Sequence, residues 1–183
     1  MTITEKDTDH KGDDQTAQGI AVEAVAVEAT AAQPTQSGQP FWQTKSLAQM
    51  TSDEWESLCD GCGRCCLQKL QTDREHLVRY TRVACRLLDV KTCRCSNYRQ
   101  RNVLVPECIT LDANSIDQYS WLPDTCAYRR LNENRGLADW HPLVSGRASS
   151  VHEAGISVKP YAMSETYIHP DDFPALVIDL SGD

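Results

Sequence analysis

The sequence lacks most of the features that mark familiar machinery. No run approaches the roughly 20 apolar residues that a membrane-spanning helix needs. The nearest candidate, GIAVEAVAVEATAA, is built of small residues and is interrupted by Glu23 and Glu28. The opening MTITEKDTDHKGDDQTAQG has no basic stretch followed by an apolar core, so a secretory signal is not expected. The expected setting is cytoplasmic, with no membrane association. There is no P-loop, no dinucleotide-binding G-x-G-x-x-G and no H-E-x-x-H. HPLVSG around Ser145 is not a G-x-S-x-G elbow, which argues against a serine hydrolase. Long aliphatic residues are few and Phe occurs only twice, so the core is thin for the length. The net charge of −8 makes nucleic acid an unexpected partner.

Cysteine is what the chain has in quantity. Nine occur, Cys59, Cys62, Cys65, Cys66, Cys85, Cys93, Cys95, Cys108 and Cys126, and all are candidate metal ligands. Four of them fall within CDGCGRCC, residues 59–66. In a reducing compartment, clustered thiols more often bind metal or act catalytically than form structural disulfides. A thin core is also the kind that metal or cross-links supplement.

The remaining composition divides the chain. Residues 1–40 contain no cysteine and no aromatic residue, and carry seven acids against two lysines. Such a segment cannot bury enough apolar surface to offset its ordering entropy. It is expected to be a disordered, acidic, Ala-rich tail, with a short helix allowed at 20–32 by its Ala and Glu content. A single cysteine-cluster domain is expected at 41–183, beginning near Phe41 and Trp42.

Within that domain MTSDEW reads as a helix start. Thr51 fits the N-cap, Glu54 the third position of a capping box, and Met50 with Trp55 a hydrophobic staple. This helix is expected to run out at Gly61 or Gly63, which can take the left-handed conformation that ends helices. VRYTRVACRLL (78–88) and TCRCSNY (92–98) read as a hairpin joined by DVK. In that hairpin Cys93 and Cys95 would share a face, because strand side chains repeat every two residues. Asp112 can cap a helix over 113–119 and Asp124 another over 125–134; SSVHEAG suggests one more short turn. The expected fold class is a small, irregular α+β domain: short helices and a β-hairpin organised around a cysteine metal site.

The spacing C-x-x-C-x-x-C over Cys59, Cys62 and Cys65 matches the first three positions of a bacterial ferredoxin run. It then departs from that pattern, because Cys66 follows directly and no C-P comes three residues on. Adjacent side chains diverge, so Cys66 points toward a second site or bridges two ions. C-x-x-C is equally the half-site of a tetrahedral zinc, which Cys93 with Cys95 or Cys85 with Cys108 could complete. Nine cysteines suffice for two four-thiolate sites with one left over. Residues 59–101 also carry ten basic against four acidic residues, and cations favour thiolates. His141 and His152 are weaker candidates, since neither has a partner at ligand spacing; packing or surface roles fit them better.

The segments FWQTKSLAQMTSDEWESLCDGCGRCCLQKL, YTRVACRLLDVKTCRCSNYRQR, VPECI, WLPDTCAYR and WHPLVSGRASSVHEAGISV together resemble the bacterial YcgN-like group. That group belongs to the CxxCxxCC cysteine-cluster family. The resemblance spans about residues 41–165 and implies chelation of zinc or iron. It implies that Cys85, Cys93, Cys95 and Cys108 are the family's later cysteines, with Cys126 shared by the closer group. It supplies no reaction. The expected cofactor is an iron–sulfur cluster or zinc, and the expected role is binding, storage, delivery or electron transfer, with a protein partner allowed. Two alternatives stay open. One is a redox enzyme or accessory factor whose cluster serves a substrate near His141 and His152. The other is a metal-free thiol redox switch.

Overall fold

The computed structural model describes residues 38–71 and 78–180. The tail and its 20–32 helix lie outside the described residues, except for residues 38–40. The described residues belong to one unit, Ala32–Asp183.

Helix α1 (Phe41–Thr44) and a 3-10 turn at Leu47–Gln49 lead into α2 (Ser52–Ser57). The capping box is formed as the sequence suggests. Thr51 Oγ1 accepts the Glu54 N–H at 3.2 Å, and the Glu54 carboxylate accepts the Thr51 N–H at 2.8 Å. The helix stops at Ser57, short of the glycines expected to end it. Leu58, fully buried, takes the capping position. Gly61 and Gly63 are left-handed, but they shape the loop beyond.

The main sheet is assembled around one strand. β1 (Leu67–Gln71) pairs antiparallel with β2 (Val78–Ala84), from Leu67 opposite Ala84 to Gln71 opposite Val78. The expected hairpin survives only as a small ladder, β3 (Leu88–Asp89) with β4 (Arg94–Cys95). The long strand 78–84 therefore pairs with the segment before it, not the one after. Cys93 does not share a strand face with Cys95: its φ is +55°, a left-handed turn position that reverses the alternation.

After α3 (Arg101–Leu104) the chain is mostly turns. The helix expected at 113–119 is a single 3-10 turn, Ile116–Gln118. Asp112 instead accepts the Asn114 N–H at 2.9 Å and the Ser115 hydroxyl, closing its own turn. The helix expected at 125–134 is the shorter α4 (Ala127–Asn132). Cys126 holds its N-cap position, and Asp124 pairs with Arg129 at 2.8 Å. α5 (Pro142–Ser145) and α6 (Ser150–Glu153) follow, the latter where SSVHEAG suggests a turn. β5 (Met163–Ser164) then runs parallel to the end of β2, and β6 (Val177–Ile178) antiparallel to its start. The result is α+β, with short helices and small sheets.

Two buried clusters organise these pieces. The first joins Phe41, Leu47, Leu58, Ile116, Leu122 and Tyr128, and half-buried Cys65 and Cys126 pack against it. The second joins Leu67, Tyr80, Ala84, Leu88, Cys93 and Val158, with Cys66 packed against it. Trp121 touches both.

Candidate metal centre

The cysteine run is held at the junction of the two cores. Gly61 and Gly63 have φ of +74° and +76°, which lets the backbone double back between thiols. A Cβ on Gly63 would lie 2.8 Å from Val158 Cγ2, so the loop is pressed onto the second core. The Val158 N–H donates to the Cys62 carbonyl at 2.8 Å and pins it there. Arg64 is 1% exposed. Its Nε donates to the Ile156 carbonyl at 2.6 Å, and its Nη1 reaches Thr125 Oγ1 at 3.5 Å, beside Cys126. Cys65 packs against the first core and Cys66 against the second, while their thiols stay neighbours.

The distant cysteines arrive by separate routes. The Cys85 N–H donates to the Cys66 carbonyl at 2.9 Å, at the end of the β1–β2 ladder. Cys95 stands opposite Leu88 in the β3–β4 ladder. Arg86 donates to the Leu104 carbonyl, drawing the segment before Cys108 toward Cys85. Cys126 comes in at the start of α4, with Thr125 against Arg64. Cys93 goes elsewhere. It is 3% exposed within the second core, and its neighbours are Ser157, Lys159 and Arg94.

Electrostatics follow this layout. Burial pushes the Cys62 thiol well up and Cys126 up to about 12; the charges of Asp60 and Cys65 raise both further. Surrounding protein raises Cys59 to about 11, although part of the residue stays exposed. Cys65 is the exception, held below the ordinary thiol value because the Cys66 thiol donates a hydrogen bond to it. That donation holds the Cys66 thiol far up. Burial also raises Cys85 and Cys108. Backbone N–H groups point at several sulfurs: Gly61 at Cys59, Arg64 at Cys62, Leu87 at Cys85, and Arg129 and Tyr128 at Cys126. N–H groups so aimed stabilise the anionic form of sulfur.

One cation lies where the groups meet. Lys69 Nζ donates to the carbonyls of Cys65 and Leu67, both at 2.7 Å. It stands 4.5 Å from the ring centre of Trp121 and 5.4 Å from that of Tyr80. Burial lowers its pKa, while the charges of Cys65, Cys66, Cys108 and Cys85 act to raise it.

Asp60 tests whether the set fits a metal. It is 6% exposed, and its Oδ1 accepts the Cys62 N–H at 2.9 Å. Its buried Oδ2 has no hydrogen-bond partner. An unpaired buried polar group costs about 1–3 kcal/mol. Here it also adds negative potential beside the thiols of Cys62, Cys65 and Cys126. A cation held by those sulfurs would neutralise that field. Soft thiols, N–H groups aimed at sulfur and an orphaned carboxylate oxygen suit zinc or an iron–sulfur core. Among the described residues, no three Cys, His, Asp or Glu side chains are closed around a single point.

The histidines stand apart from this chemistry. His141 is 1% exposed, with Nε2 3.1 Å from the Leu58 carbonyl and Nδ1 accepting the Leu143 N–H at 3.1 Å. Both ring nitrogens are used, so it caps α5 and fixes the end of α2. His152 sits on α6 with its Nδ1 buried and without a hydrogen-bond partner. A cleft of about 620 Å³ runs past Tyr80, Trp121, Thr125, Arg129 and Ile178, and neither histidine lines it. Asp60, Arg64 and Lys69 count only as charges in the sequence. Their burial depends on the β1–β2 pairing and on contacts to residues 121–125 and 156–158, which no local pattern reveals.

The fold and cysteine set are those of a cysteine-cluster domain, and residues 58–127 match the CxxCxxCC family, described as a "putative zinc- or iron-chelating domain". Within that class, the chain belongs to the UPF0260 family. A UPF0260 protein of Gluconacetobacter diazotrophicus is 58% identical over 131 residues, covering 72% of this chain and 82% of the relative. One from Ectopseudomonas mendocina is 50% identical over 146 residues, covering 80% and 98%. One from Pseudomonas aeruginosa is 49% identical over 144 residues, covering 79% and 97%. No solved structure matches the chain. Among the described residues, no helix is long and apolar enough to cross a membrane.

Proposed function

We propose that the protein is a thiolate metal carrier, whose cysteines hold an iron–sulfur core and which serves in binding, delivery or electron transfer within the cytoplasm. The observation that carries this reading is the buried Asp60 Oδ2, without a hydrogen-bond partner, among thiols that backbone N–H groups already face. Left without a cation, this is a costly concentration of negative potential and raised thiols. With one, every part of it is used. Iron is favoured over zinc by the C-x-x-C-x-x-C loop, which presents three sulfurs from one short turn. When bound, such a core supplies one-electron transfer. The chain contributes the sulfurs, the N–H groups facing them, the Lys69 charge and cover from solvent. Neither histidine offers a poised acid or base, which supports a carrier over a self-contained enzyme.

The test is anaerobic purification of the full chain, followed by its visible spectrum and its iron, acid-labile sulfide and zinc per chain. Broad brown absorbance with iron and sulfide is the expected result. A colourless protein carrying zinc would convert the reading to a structural metal that supports a thin core. A chain with neither, whose free-thiol count falls on mild oxidation, would replace it with a thiol switch.

A further inference from the structure

Of the large apolar side chains exposed among the described residues, three fall within the short stretch 98–104: Tyr98, Val103 and Leu104, at 47%, 82% and 40%. The others, Val144, Tyr167 and Val177, are scattered along the chain. The stretch is a 3-10 turn, Tyr98–Gln100, running into the single turn of α3, and neither element has a buried residue. So short a helix has no stability of its own, and contacts outside it hold this one in place. Arg86 donates to the Leu104 carbonyl at its C-terminal end, and the chain is buried immediately afterwards at Val105. At the other end the Tyr98 hydroxyl donates to Glu56 at 2.6 Å. The Arg101 guanidinium lies 3.8 Å from the Tyr98 ring centre and donates to the Tyr98 carbonyl at 2.7 Å. The turn is therefore fixed from both ends while its apolar side chains stay in water.

Positive charge gathers in the same place. Residues 86–104 carry Arg86, Lys91, Arg94, Arg99 and Arg101 against one acid, Asp89, in a chain with a net charge of −8. Lys91, Arg94 and Arg99 are exposed. Arg94 lies over Gly61, its Cζ 2.8 Å from where a Cβ would sit, so the basic surface reaches the loop that carries Cys59 and Cys62. Apolar side chains exposed together and rimmed by polar ones mark interaction sites, whereas single ones need no explanation. Arginine and tyrosine are also the side chains that dominate protein interfaces.

We propose that residues 98–104, with Arg94 beside them, form a docking surface for an acidic face of a different protein. The basic rim would select negative charge and speed encounter. Val103 and Leu104 supply apolar contact, for which a nucleic-acid backbone has no counterpart, and the net charge of the chain opposes nucleic acid as well. A symmetric pair of copies would set the basic patch against itself. What docking accomplishes rests on the carrier reading: the partner would meet the chain beside the Cys59–Cys62 loop, where metal or electrons would pass. The docking itself does not need that reading.

The test places a photo-cross-linker in the full chain, Val103→p-benzoylphenylalanine, expressed in its own cells in place of the wild type. The exposure of Val103 lets the fold tolerate it. Val144→p-benzoylphenylalanine, on α5, is the control. Irradiation should give one main protein adduct from position 103 and none of it from position 144, joined through a segment with an excess of Asp and Glu. That partner, purified, is then titrated against the purified chain. Affinity should fall several-fold in Arg99→Glu and in Val103→Ser, and should weaken steadily as salt is raised. No adduct, an adduct to nucleic acid, an adduct to a second copy, or a partner indifferent to salt and to both substitutions overturns the proposal. A partner bound by a chain that carries no metal as isolated would keep this surface and overturn the carrier reading. A metal-loaded chain without an adduct would do the reverse.

Discussion

The two thiol groups are built in different ways, although they start from neighbouring residues. The first is largely a product of one loop. Cys59, Cys62 and Cys65 follow the short helix α2, two left-handed glycines set their spacing, and only Cys126 comes from far along the chain. The second is a product of pairing. Cys66, Cys85, Cys95 and Cys108 are placed by long-range contacts: β1 lies on β2, β3 lies on β4, and Arg86 reaches Leu104. A loop-built group depends on backbone conformation at a few positions. A pairing-built group depends on register across the sheet, and errors there displace several ligands together. Lys69 links them by charge, while Arg64 holds the loop to Thr125 and Ile156 by hydrogen bonds.

The largest expected effect comes from breaking the loop. Gly63→Ala would force a side chain into the left-handed region and against Val158 Cγ2 at 2.8 Å. Strain and overpacking together should cost about 2–4 kcal/mol, seen as a lower midpoint in urea. First-group cysteines should become reactive to alkylation before second-group ones. Reactivity rising equally in both groups would show that the loop does not belong to one group alone.

His141 sharpens the comparison next, since it holds the Leu58 carbonyl just before Cys59. His141→Ala removes two buried hydrogen bonds and leaves a cavity, for about 2–4 kcal/mol. Burial lowers the His141 pKa below its ordinary value. The unfolded state therefore binds the extra proton first, and stability rises with pH across the interval between the two pKa values. This contribution is complete above about pH 6.5 and is lost as pH falls toward the depressed folded value. Thermal melts of wild type and His141→Gln between pH 5 and 8 should show a weaker acid dependence in the variant. Parallel curves would assign the acid loss to other groups.

Lys69→Met should act on both groups at once. A cation over aromatic rings is worth about 0.5–2 kcal/mol, so the loss of stability is modest. Affinity for zinc should fall several-fold, and an iron–sulfur centre should become harder to reduce. Removing a nearby positive charge destabilises the more negative reduced state. Lys69→Arg should restore most of it. Unchanged affinity and unchanged reduction would separate Lys69 from the thiol chemistry.

The smallest effect is at the entry to the first group. Thr51→Ala removes the N-cap of α2 and should cost about 1 kcal/mol by chemical denaturation, with metal content unchanged. Metal loss in that variant would mean that α2 positions the loop more tightly than its short length suggests.

What was legible in the sequence follows the same division. The capping box of α2 could be read because all its atoms lie within four consecutive residues. The pairing of 78–84 could not. LQKLQ has no β-branched residue, so nothing local marks 67–71 as the partner strand. TCRCSNY looked like a strand because Thr and Tyr favour one, yet tertiary packing turned Cys93 inward at positive φ. Asp112 and Asp124 carried helix-start signals, but one closes an Asx turn and the other spends its carboxylate on Arg129. The unpaired Asp60 oxygen and the caged Lys69 depend wholly on long-range contacts. The α+β class survived these errors because short elements and a thin core are properties of composition more than of pairing.

The most direct measurement of the central claim is X-ray absorption at the metal edge of the anaerobically purified protein. Cysteine-only centres should give a first shell of four sulfurs at about 2.3 Å, with an iron neighbour beyond it if a cluster is present. A first shell containing imidazole nitrogen or carboxylate oxygen would contradict the account, because it would draw into the centre residues that the structure assigns to packing and charge.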